Sequence, residues 1–522
     1  MVNRRDLLSG TMALAATAAL PGCRRDIPGR LLMASLGHKL LEGSLPPVSV
    51  RRSARVVVAG GGIAGLAAAR ALKQQGIKDV VLIDVRDTPG GNSSYGANSV
   101  SAYPWGAHYV PLVRKDCAPV LDLFRDLKII VDEDTQGRPI YDEYCLSADP
   151  QERLWMYGRW QDGLVPSLGA TAEDRAEFSR FFAETERLKN LLGADGKPVF
   201  AIPVDSSSAD PAWRALDLLS VEQYLRQHGF RSQRLYWYIN YCCRDDYGST
   251  ATAISAWAGL HYFASRNGVA ANADASTVVT WPEGNGHLAR ELARSSGAEQ
   301  VTNALVTHVG RSGDGVAVQF FEANTQRTVQ IDASAAIVCL PRFVACRVVE
   351  GLDSRDAAEF SYAPWMVANL TLSRMPQGRG QQLAWDNVIY DSPLLGYVVA
   401  THQSLAQNRH DTVITYYWPL SVQERSRALS RSLSEWQAAV VGDLLRVHPE
   451  LDGYIENVDV RVWGHGMIRP TPGFIWGEAR SRAAEHQPPL YFAHSDLSGI
   501  SIFEEAYCRG YAAGGLAARR VT

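Results

Sequence analysis

The chain lacks several features that would place it in other classes of protein. Beyond the first 22 residues, no apolar run is long enough to span a bilayer. The net charge of −3 and the absence of a basic stripe provide no field for a nucleic acid. The eight cysteines follow neither zinc nor haem spacing, and no internal repeat or low-complexity tract is evident. What remains is a 522-residue globular chain of two or more domains, for which we predict no metal site and no nucleic-acid partner.

A glycine turn is the most informative stretch of the sequence. A β-branched run over residues 55–59 leads into glycines at 60, 62 and 65, and a small-residue helix is expected from Leu66 to Leu72. Such glycines permit a tight turn, let the backbone approach a diphosphate, and let the helix pack closely on the strand. A second strand, 80–83, ends at Asp84, about 20 residues beyond the glycines, where a carboxylate can bind a ribose diol. The pattern predicts a dinucleotide site; a strand–helix–strand unit without a ligand is the alternative.

The N-terminus has the pattern of an export signal. Arg4 and Arg5 precede an apolar stretch that ends Pro21-Gly22-Cys23. This resembles a twin-arginine signal followed by a bacterial lipoprotein cleavage box. We therefore expect an exported, periplasmic protein with a lipid anchor to the membrane at Cys23, the alternative being an incidental thiol. The periplasm holds no free nicotinamide pool, so a permanently bound FAD is favoured over NAD.

Strand–helix alternation is present in three separate segments of the chain and absent from the two segments between them. This pattern predicts an α/β fold (α+β overall) of interleaved domains. We expect an export signal (1–23) and a tether (24–53). A Rossmann-like FAD-binding domain is then built from 54–114, 276–340 and 456–522, and a mixed substrate-binding domain from 115–275 and 341–455. Helices are predicted over residues 171–192, 220–241, 421–448 and 504–520. Strands are predicted over residues 300–309, 316–321, 331–340 and 489–493.

Several further segments carry a family resemblance. Residues 84–92 read Asp-Val-Arg-Asp-Thr-Pro-Gly-Gly-Asn, and residues 104–110 read Pro-Trp-Gly-Ala-His-Tyr-Val. The tail contains Tyr-Phe-Ala-His-Ser-Asp at 491–496 and Glu-Glu-Ala-Tyr-Cys-Arg-Gly at 504–510. In this order, the segments resemble motifs of the FAD-dependent amine oxidase superfamily, which includes monoamine and polyamine oxidases, protoporphyrinogen oxidase and phytoene desaturases. The resemblance covers nearly all residues from 54 to 522 and implies an amine-oxidase-like two-domain fold.

The resemblance also implies a set of FAD contacts. Asp84 would bind the ribose, Arg86 would lie near the adenosine, and Asp496 would bond the ribityl chain. The expected cofactor-binding residues are Gly60, Gly62, Ala64, Gly65, Asp84, Val85, Arg86, Gly90, Gly91, Asn92, Gly106, Ala107, Val306, Asp496 and Phe503.

The sequence departs from the family in the region that decides chemistry. Asn92 stands where the family usually has arginine, and Ile502 where an aromatic usually flanks the flavin. Residues 365–370 offer no counterpart of the lysine that often holds a water at flavin N5. No catalytic residue is assigned, and the predicted substrate-pocket residues are His108, Tyr109, Trp463, His465 and Ile502. His108 is either a proton acceptor or a structural histidine. Asp245 and Asp246 either attract a cationic amine or form a solvated turn, or a salt bridge with Arg244.

Together these features predict an FAD-dependent oxidoreductase that moves hydride from a substrate C–H, on the C–N bond of an amine, to flavin N5. Electrons would pass to oxygen, a quinone or a cytochrome. One alternative is a desaturase-like or porphyrinogen-oxidase-like enzyme for a large apolar substrate. Another is a flavoprotein scaffold without turnover.

Overall fold

A computed structural model describes residues 26–33, 36–43, 45–404 and 409–522. The predicted export signal and Cys23 lie outside these ranges. Among the described helices, none combines the length and apolarity needed to cross a bilayer. The described residues fold around two main sheets of seven and eight strands, which we call the first and the second sheet.

The first sheet carries the glycine turn at the end of its central strand, Val48–Ala59. That strand is parallel to Val80–Ile83 on one side and to Arg327–Val338 on the other. All four residues of Val80–Ile83 are buried, as expected of a parallel strand covered on both faces. The remaining strands of this sheet are Glu299–Val301, Ala304–Ser312, Gly315–Glu322 and Leu490–Phe492.

The second sheet is mixed and centres on Tyr362–Leu372, which is antiparallel to Ile455–Ile468 and to Thr412–Pro419. Pairing along this long central strand brings distant parts of the chain to one surface. The other strands of this sheet are Leu31–Leu32, Glu152–Met156, Arg159–Asp162, Asp386–Ile389 and Gly396–Val399. Three short pairs lie outside the two sheets, formed by Tyr95–Ala97 with Ala102–Pro104, Tyr109–Pro111 with Val278–Thr280, and Ile130–Glu133 with Pro139–Tyr141.

Helices cover the first sheet and form much of the middle of the chain. Ile63–Gln74 follows the glycine turn and packs against the C-terminal helix Phe503–Val521. The two helices approach closely at Gly510, where a Cβ would lie 1.9 Å from the carbonyl oxygen of Ala64. The other α-helices are Lys39–Glu42, Ala118–Asp126, Ala172–Lys189, Pro211–Arg214, Val221–Gln227, Gln233–Tyr247, Ala256–Ala264, Gly286–Ser295, Arg342–Val348, Arg425–Ser430, Leu433–Val447 and Glu478–Ala483.

The structure corrects three sequence-based expectations. The segment expected as a tether is ordered in its described part, because Leu31–Leu32 joins the second sheet and Arg30 pairs with Asp459 at 2.9 Å. The helix expected over 421–448 breaks after Ser430, and Ser432 caps a new helix with a complete capping box. The helix expected over 220–241 is likewise two helices, with Ser232 capping the second. Strand Ile455–Ile468 lies in the second sheet; the domain boundaries themselves stay a prediction.

Candidate functional site

The glycine turn crosses a second glycine-rich segment at the carboxyl end of the first sheet. Gly60 has φ of +107°, and a Cβ at Gly65 would lie 1.8 Å from the Gly60 carbonyl oxygen. Gly62 forms a parallel bridge with Gly90, and a Cβ at Gly91 would lie 3.1 Å from the Gly62 Cα. Two backbones thus meet beside the N-terminus of helix Ile63–Gln74, where free N–H groups favour a diphosphate.

Asp84 is buried beside this crossing and braces the turn. One carboxylate oxygen accepts from the Gly61 N–H at 2.8 Å, and the other accepts from the Arg86 N–H at 2.8 Å. Burial raises the pKa of this carboxyl, while the nearby Arg86 opposes the shift. The expected ribose contact stays a prediction, and the structure adds a bracing role for the same group.

Asn92 links the glycine segment to the second sheet. Its side-chain amide donates to the carbonyl of Gly466, and its own carbonyl accepts from the Ala107 N–H at 3.0 Å. Gly106 must be glycine here, because a Cβ would lie 2.2 Å from the Asn92 carbonyl oxygen. The contacts place residues 106–109 between the two sheets.

The C-terminal motif lies against the same region. Asp496 is buried, and one of its carboxylate oxygens accepts from the Arg342 N–H at 2.9 Å and from the Tyr362 hydroxyl at 2.5 Å. Phe503 begins the C-terminal helix, and Ile502 precedes it as the N-cap. Of the other predicted cofactor residues, Val306 lies in the strand Ala304–Ser312, and Val85 is exposed.

A cavity lies where these segments meet the second sheet. Its lining combines predicted residues with residues from both insertions, as we call the two segments of the predicted substrate-binding domain, 115–275 and 341–455. It is lined by Asn92, Gly106, Ala107, His108, Tyr109, Pro111, Asp245, Asp246, Arg266, Asn285, Trp365, Val367, Tyr417, Trp463, Gly466, Met467, Ser501, Ile502, Phe503 and Glu504.

Aromatic rings form one wall of this cavity. His108 stacks on Tyr417 with ring centroids 4.7 Å apart, and lies 5.5 Å from the Trp385 ring. Burial lowers the pKa of His108 to about 4. The imidazole is therefore neutral near pH 7 and forms part of the aromatic wall.

Charged groups also line the cavity. Arg266 pairs with Asp246, and its guanidinium also donates to the Tyr109 hydroxyl at 3.2 Å. Asp245, next along the helix, forms no ion pair within 4.0 Å with any described residue. Burial and the adjacent Asp246 raise the pKa of Asp245 to about 7. Glu504 is also buried, one of its carboxyl oxygens has no hydrogen-bond partner, and burial raises its pKa to about 7.

The cavity contains most, but not all, of the predicted pocket residues. His108, Tyr109, Trp463 and Ile502 line it, whereas His465 stacks on Phe343 at 4.3 Å outside the lining. The described lining includes no lysine; from the central strand, Trp365 and Val367 line it. The two aspartates lie in helix Gln233–Tyr247 rather than in a turn, and Asp246 pairs with Arg266 rather than with Arg244.

The sequence alone did not identify Trp365, Tyr417, Arg266, Asn285 and Glu504 as cavity residues. Tyr417 and Arg266 come from segments without a recognisable motif, whereas Trp365 opens the segment 365–370 that was compared with the family for its missing lysine. Glu504 lies within a quoted motif, and its position in the first turn of the C-terminal helix was the available signal.

The residues present fit an FAD. The glycine crossing and helix N-terminus suit a diphosphate, and a Cβ at Gly91 would lie 3.8 Å from the Arg86 guanidinium. A buried guanidinium nitrogen of Arg86 has no hydrogen-bond partner among the described residues, as expected of a donor that awaits an anion. The adjoining cavity, between residues 106–109 and Phe503, would take the flavin ring.

Comparisons with known proteins agree with this architecture. The sequence profile of the NAD(P)-binding Rossmann-like domain matches residues 58–127. No curated protein matches the chain.

Solved structures match over most of the chain. Wild-type putrescine oxidase bound to putrescine is 16% identical, with a TM-score of 0.64 over 89% of this chain and 98% of that one. Cyclohexylamine oxidase from Brevibacterium oxydans is 14% identical, with a TM-score of 0.63 over 90% and 99% of the two chains. A fatty acid isomerase from P. acnes that produces CLA is 14% identical, with a TM-score of 0.61 over 90% and 99%.

The chain therefore contains a Rossmann-like dinucleotide-binding domain and has the two-domain fold of the flavin amine oxidases, as the glycine crossing, the two sheets and the structural matches show together.

Proposed function

We propose that this chain is an FAD-dependent oxidoreductase that removes hydride from the carbon beside an amine nitrogen. One observation carries the substrate class: the unpaired carboxylate of Asp245 lines an aromatic-walled cavity next to the predicted flavin-binding segments. An anionic group in such a place favours a cationic ligand.

The glycine turn, Asp84, Arg86 and residues 106–107 would hold the cofactor. Phe503 begins the helix whose positive end would face the flavin ring and favour negative charge on it. When bound, FAD supplies the hydride acceptor, and the protein supplies position and electrostatics.

Asp245 would act first on the substrate. Amines arrive protonated, and a protonated nitrogen cannot release hydride from its neighbouring carbon. The Asp245 carboxylate would bind the ammonium group and accept one of its protons on a side-chain oxygen, which leaves the neutral amine. Loss of hydride from that amine gives an iminium, which water hydrolyses to a carbonyl product and ammonia.

The aromatic wall would orient the substrate and exclude water. His108 and Tyr417 present stacked rings, while Trp365 and Trp463 are register partners on adjacent strands of the second sheet. Such a wall restricts an alkyl chain next to the reacting carbon.

The charges of the cavity argue against anionic substrates. Its described lining contains three carboxyl groups, Asp245, Asp246 and Glu504, against one guanidinium, Arg266, which is already paired with Asp246. A fatty acid or a carboxylated porphyrin would meet repulsion here. A large apolar substrate or a scaffold role without turnover remains an outcome of the test.

We further propose an exported protein that is anchored at Cys23 and passes its electrons to oxygen, a quinone or a cytochrome. This rests on the twin-arginine pattern and the lipoprotein box, which lie outside the described residues.

Turnover with an artificial electron acceptor tests the substrate class. Primary amines, including putrescine and cyclohexylamine, should give a carbonyl product and ammonia in equal amounts. The matched alcohols and carboxylates should give no product. Turnover of a carboxylate, or no turnover with any amine, would contradict the proposal.

A further inference from the structure

Two arginines from different sheets converge on one indole ring. Arg86 follows strand Val80–Ile83 of the first sheet, and Arg461 lies in strand Ile455–Ile468 of the second. Their guanidinium carbons lie 5.3 Å and 5.0 Å from the centroid of the Trp463 ring. Arg461 also lies 5.3 Å from the Trp105 ring.

Neither guanidinium forms an ion pair within the described part of the chain. No described carboxylate lies within 4.0 Å of either guanidinium. One nitrogen of each, Nη1 of Arg86 and Nε of Arg461, is buried without a hydrogen-bond partner. Burial and the repulsion of Arg86 lower the pKa of Arg461 to about 10, against the attraction of Asp87, so Arg461 stays charged at pH 7. Burial also lowers the pKa of Arg86, against the attraction of Asp84 and Asp87. Two unpaired like charges held together are costly unless an anion joins them.

The pair borders the glycine crossing. A Cβ at Gly91 would lie 3.8 Å from Nη2 of Arg86, and Nη1 of Arg461 lies 3.5 Å from the Ser94 hydroxyl. The two guanidinium groups therefore flank the segment that passes the N-terminus of helix Ile63–Gln74, where a diphosphate is expected.

Asn92 gives the glycine-rich segment 90–92 a neutral amide rather than a positive charge. By the resemblance described above, Asn92 stands where the amine oxidase family usually has arginine. Its side-chain amide donates to the Gly466 carbonyl. Gly466 lies on the same strand as Arg461, five residues further along. The strand that occupies Asn92 thus also supplies a guanidinium to the same region.

We propose that Arg461 is a cofactor-binding residue that, together with Arg86, neutralises the diphosphate of FAD and supplies the charge that Asn92 lacks. Guanidinium groups bind phosphate oxygens through paired N–H donors, and two of them match the two negative charges of a diphosphate. Because the arginines come from different sheets, the cofactor would also join the two sheets. This inference rests on the proposed FAD dependence.

Binding of FAD and of riboflavin to apoprotein separates a phosphate contact from a structural role, since riboflavin has the flavin ring but no phosphate. Arg461→Met should raise the Kd for FAD about tenfold or more, as expected for loss of a charged contact. The Kd for riboflavin should change less than about twofold, because the contact is to phosphate. Arg461→Lys should retain part of the FAD affinity. Arg374→Met, which removes an arginine 4.7 Å from the Tyr454 ring, is the matched control and should leave both unchanged.

Melting temperature supplies a second readout that needs no turnover. Removing one of two like charges should leave the apoprotein as stable or more stable, while the FAD-loaded protein melts lower than loaded wild type. Unchanged FAD affinity in Arg461→Met, or equal weakening for FAD and riboflavin, would overturn the proposal. The test stands apart from amine turnover: wild type that binds FAD but oxidises no amine would contradict the proposed substrate class and leave the role of Arg461 intact.

Discussion

His108 stacks on Tyr417 in the lining of the cavity, with ring centroids 4.7 Å apart and planes inclined by 27°. Burial holds the imidazole neutral, with a pKa of about 4. The pair is thus an aromatic surface rather than an acid–base couple.

This relationship predicts the behaviour of His108 variants. His108→Phe keeps the stacking and should retain kcat/KM within about threefold, whereas His108→Ala loses an aromatic contact and should lose about tenfold. Steady-state kinetics with the best amine will measure both. Loss of activity in His108→Phe as severe as in His108→Ala would show that a ring nitrogen is required.

Asp245 predicts the pH dependence of substrate binding. Its pKa is raised to about 7, so the carboxyl is neutral below pH 6 and anionic above pH 8. KM for a cationic amine should therefore fall as pH rises through about 7. Asp245→Asn should lack this dependence and raise KM about tenfold at pH 8. The exposed Asp274→Asn is the control, and a pH profile that survives in Asp245→Asn would assign the dependence to another group.

Glu505 predicts a pH dependence of stability. It is fully buried, its carboxyl accepts from the Val204 N–H at 2.6 Å, and burial raises its pKa to about 7. A raised pKa in the folded state means that stability is complete below the unfolded pKa of about 4.3 and is lost as pH rises through about 7. Glu505→Gln keeps the acceptor and removes the charge.

The melting temperature of Glu505→Gln should therefore match wild type near pH 4.5 and exceed it near pH 8. The exposed Glu359→Gln is the control and should follow wild type at both. An equal or lower melting temperature for Glu505→Gln at pH 8 would contradict this account of the buried carboxyl.

Asp84 predicts a coupled loss of stability and cofactor. In the wild type, both carboxylate oxygens of Asp84 accept hydrogen bonds, one from the Gly61 N–H and one from the Arg86 N–H. Asp84→Asn places an amide N–H against one of these donors. An unsatisfied buried donor costs about 1–3 kcal/mol, so denaturant unfolding should shift by that amount. FAD per chain should fall in parallel. Full stability with full FAD content would show that the turn does not depend on this carboxylate.

Short, buried and strongly patterned segments could be predicted well from the sequence. Strand Val80–Ile83 was predicted with its exact bounds, because a continuous apolar run between turn residues describes a buried parallel strand. The C-terminal helix was predicted within one residue at each end. The two-domain fold could be predicted because its motifs lie at both ends of the chain in the right order. The structural matches confirm it.

Features that depend on distant contacts could not be predicted. The segment 24–53 was expected to be a tether, because nothing local shows that Arg30 meets Asp459 or that Leu31–Leu32 pairs with a strand 429 positions later. The break before Ser432 was missed because the apolar pattern continues across a short capping segment.

The candidate site divides along the same line. His108, Tyr109, Trp463 and Ile502 were predicted, because motifs border the cofactor region. The insertions supply three further cavity residues, Tyr417, Trp365 and Arg266. These were not predicted, because no local sequence pattern shows where the insertions pack in the folded chain. The pairing of Asp246 with Arg266, 20 residues away, leaves Asp245 unpaired.

Anaerobic reduction of the bound flavin by a primary amine tests the central claim most directly. Wild-type protein with FAD bound should lose its visible flavin absorbance after mixing with at least one amine of the panel. Asp245→Asn, loaded equally with FAD, should need about tenfold more amine at pH 8 for the same rate. Flavin that stays oxidised with every amine, or an Asp245→Asn variant reduced at the wild-type concentration, would contradict the account.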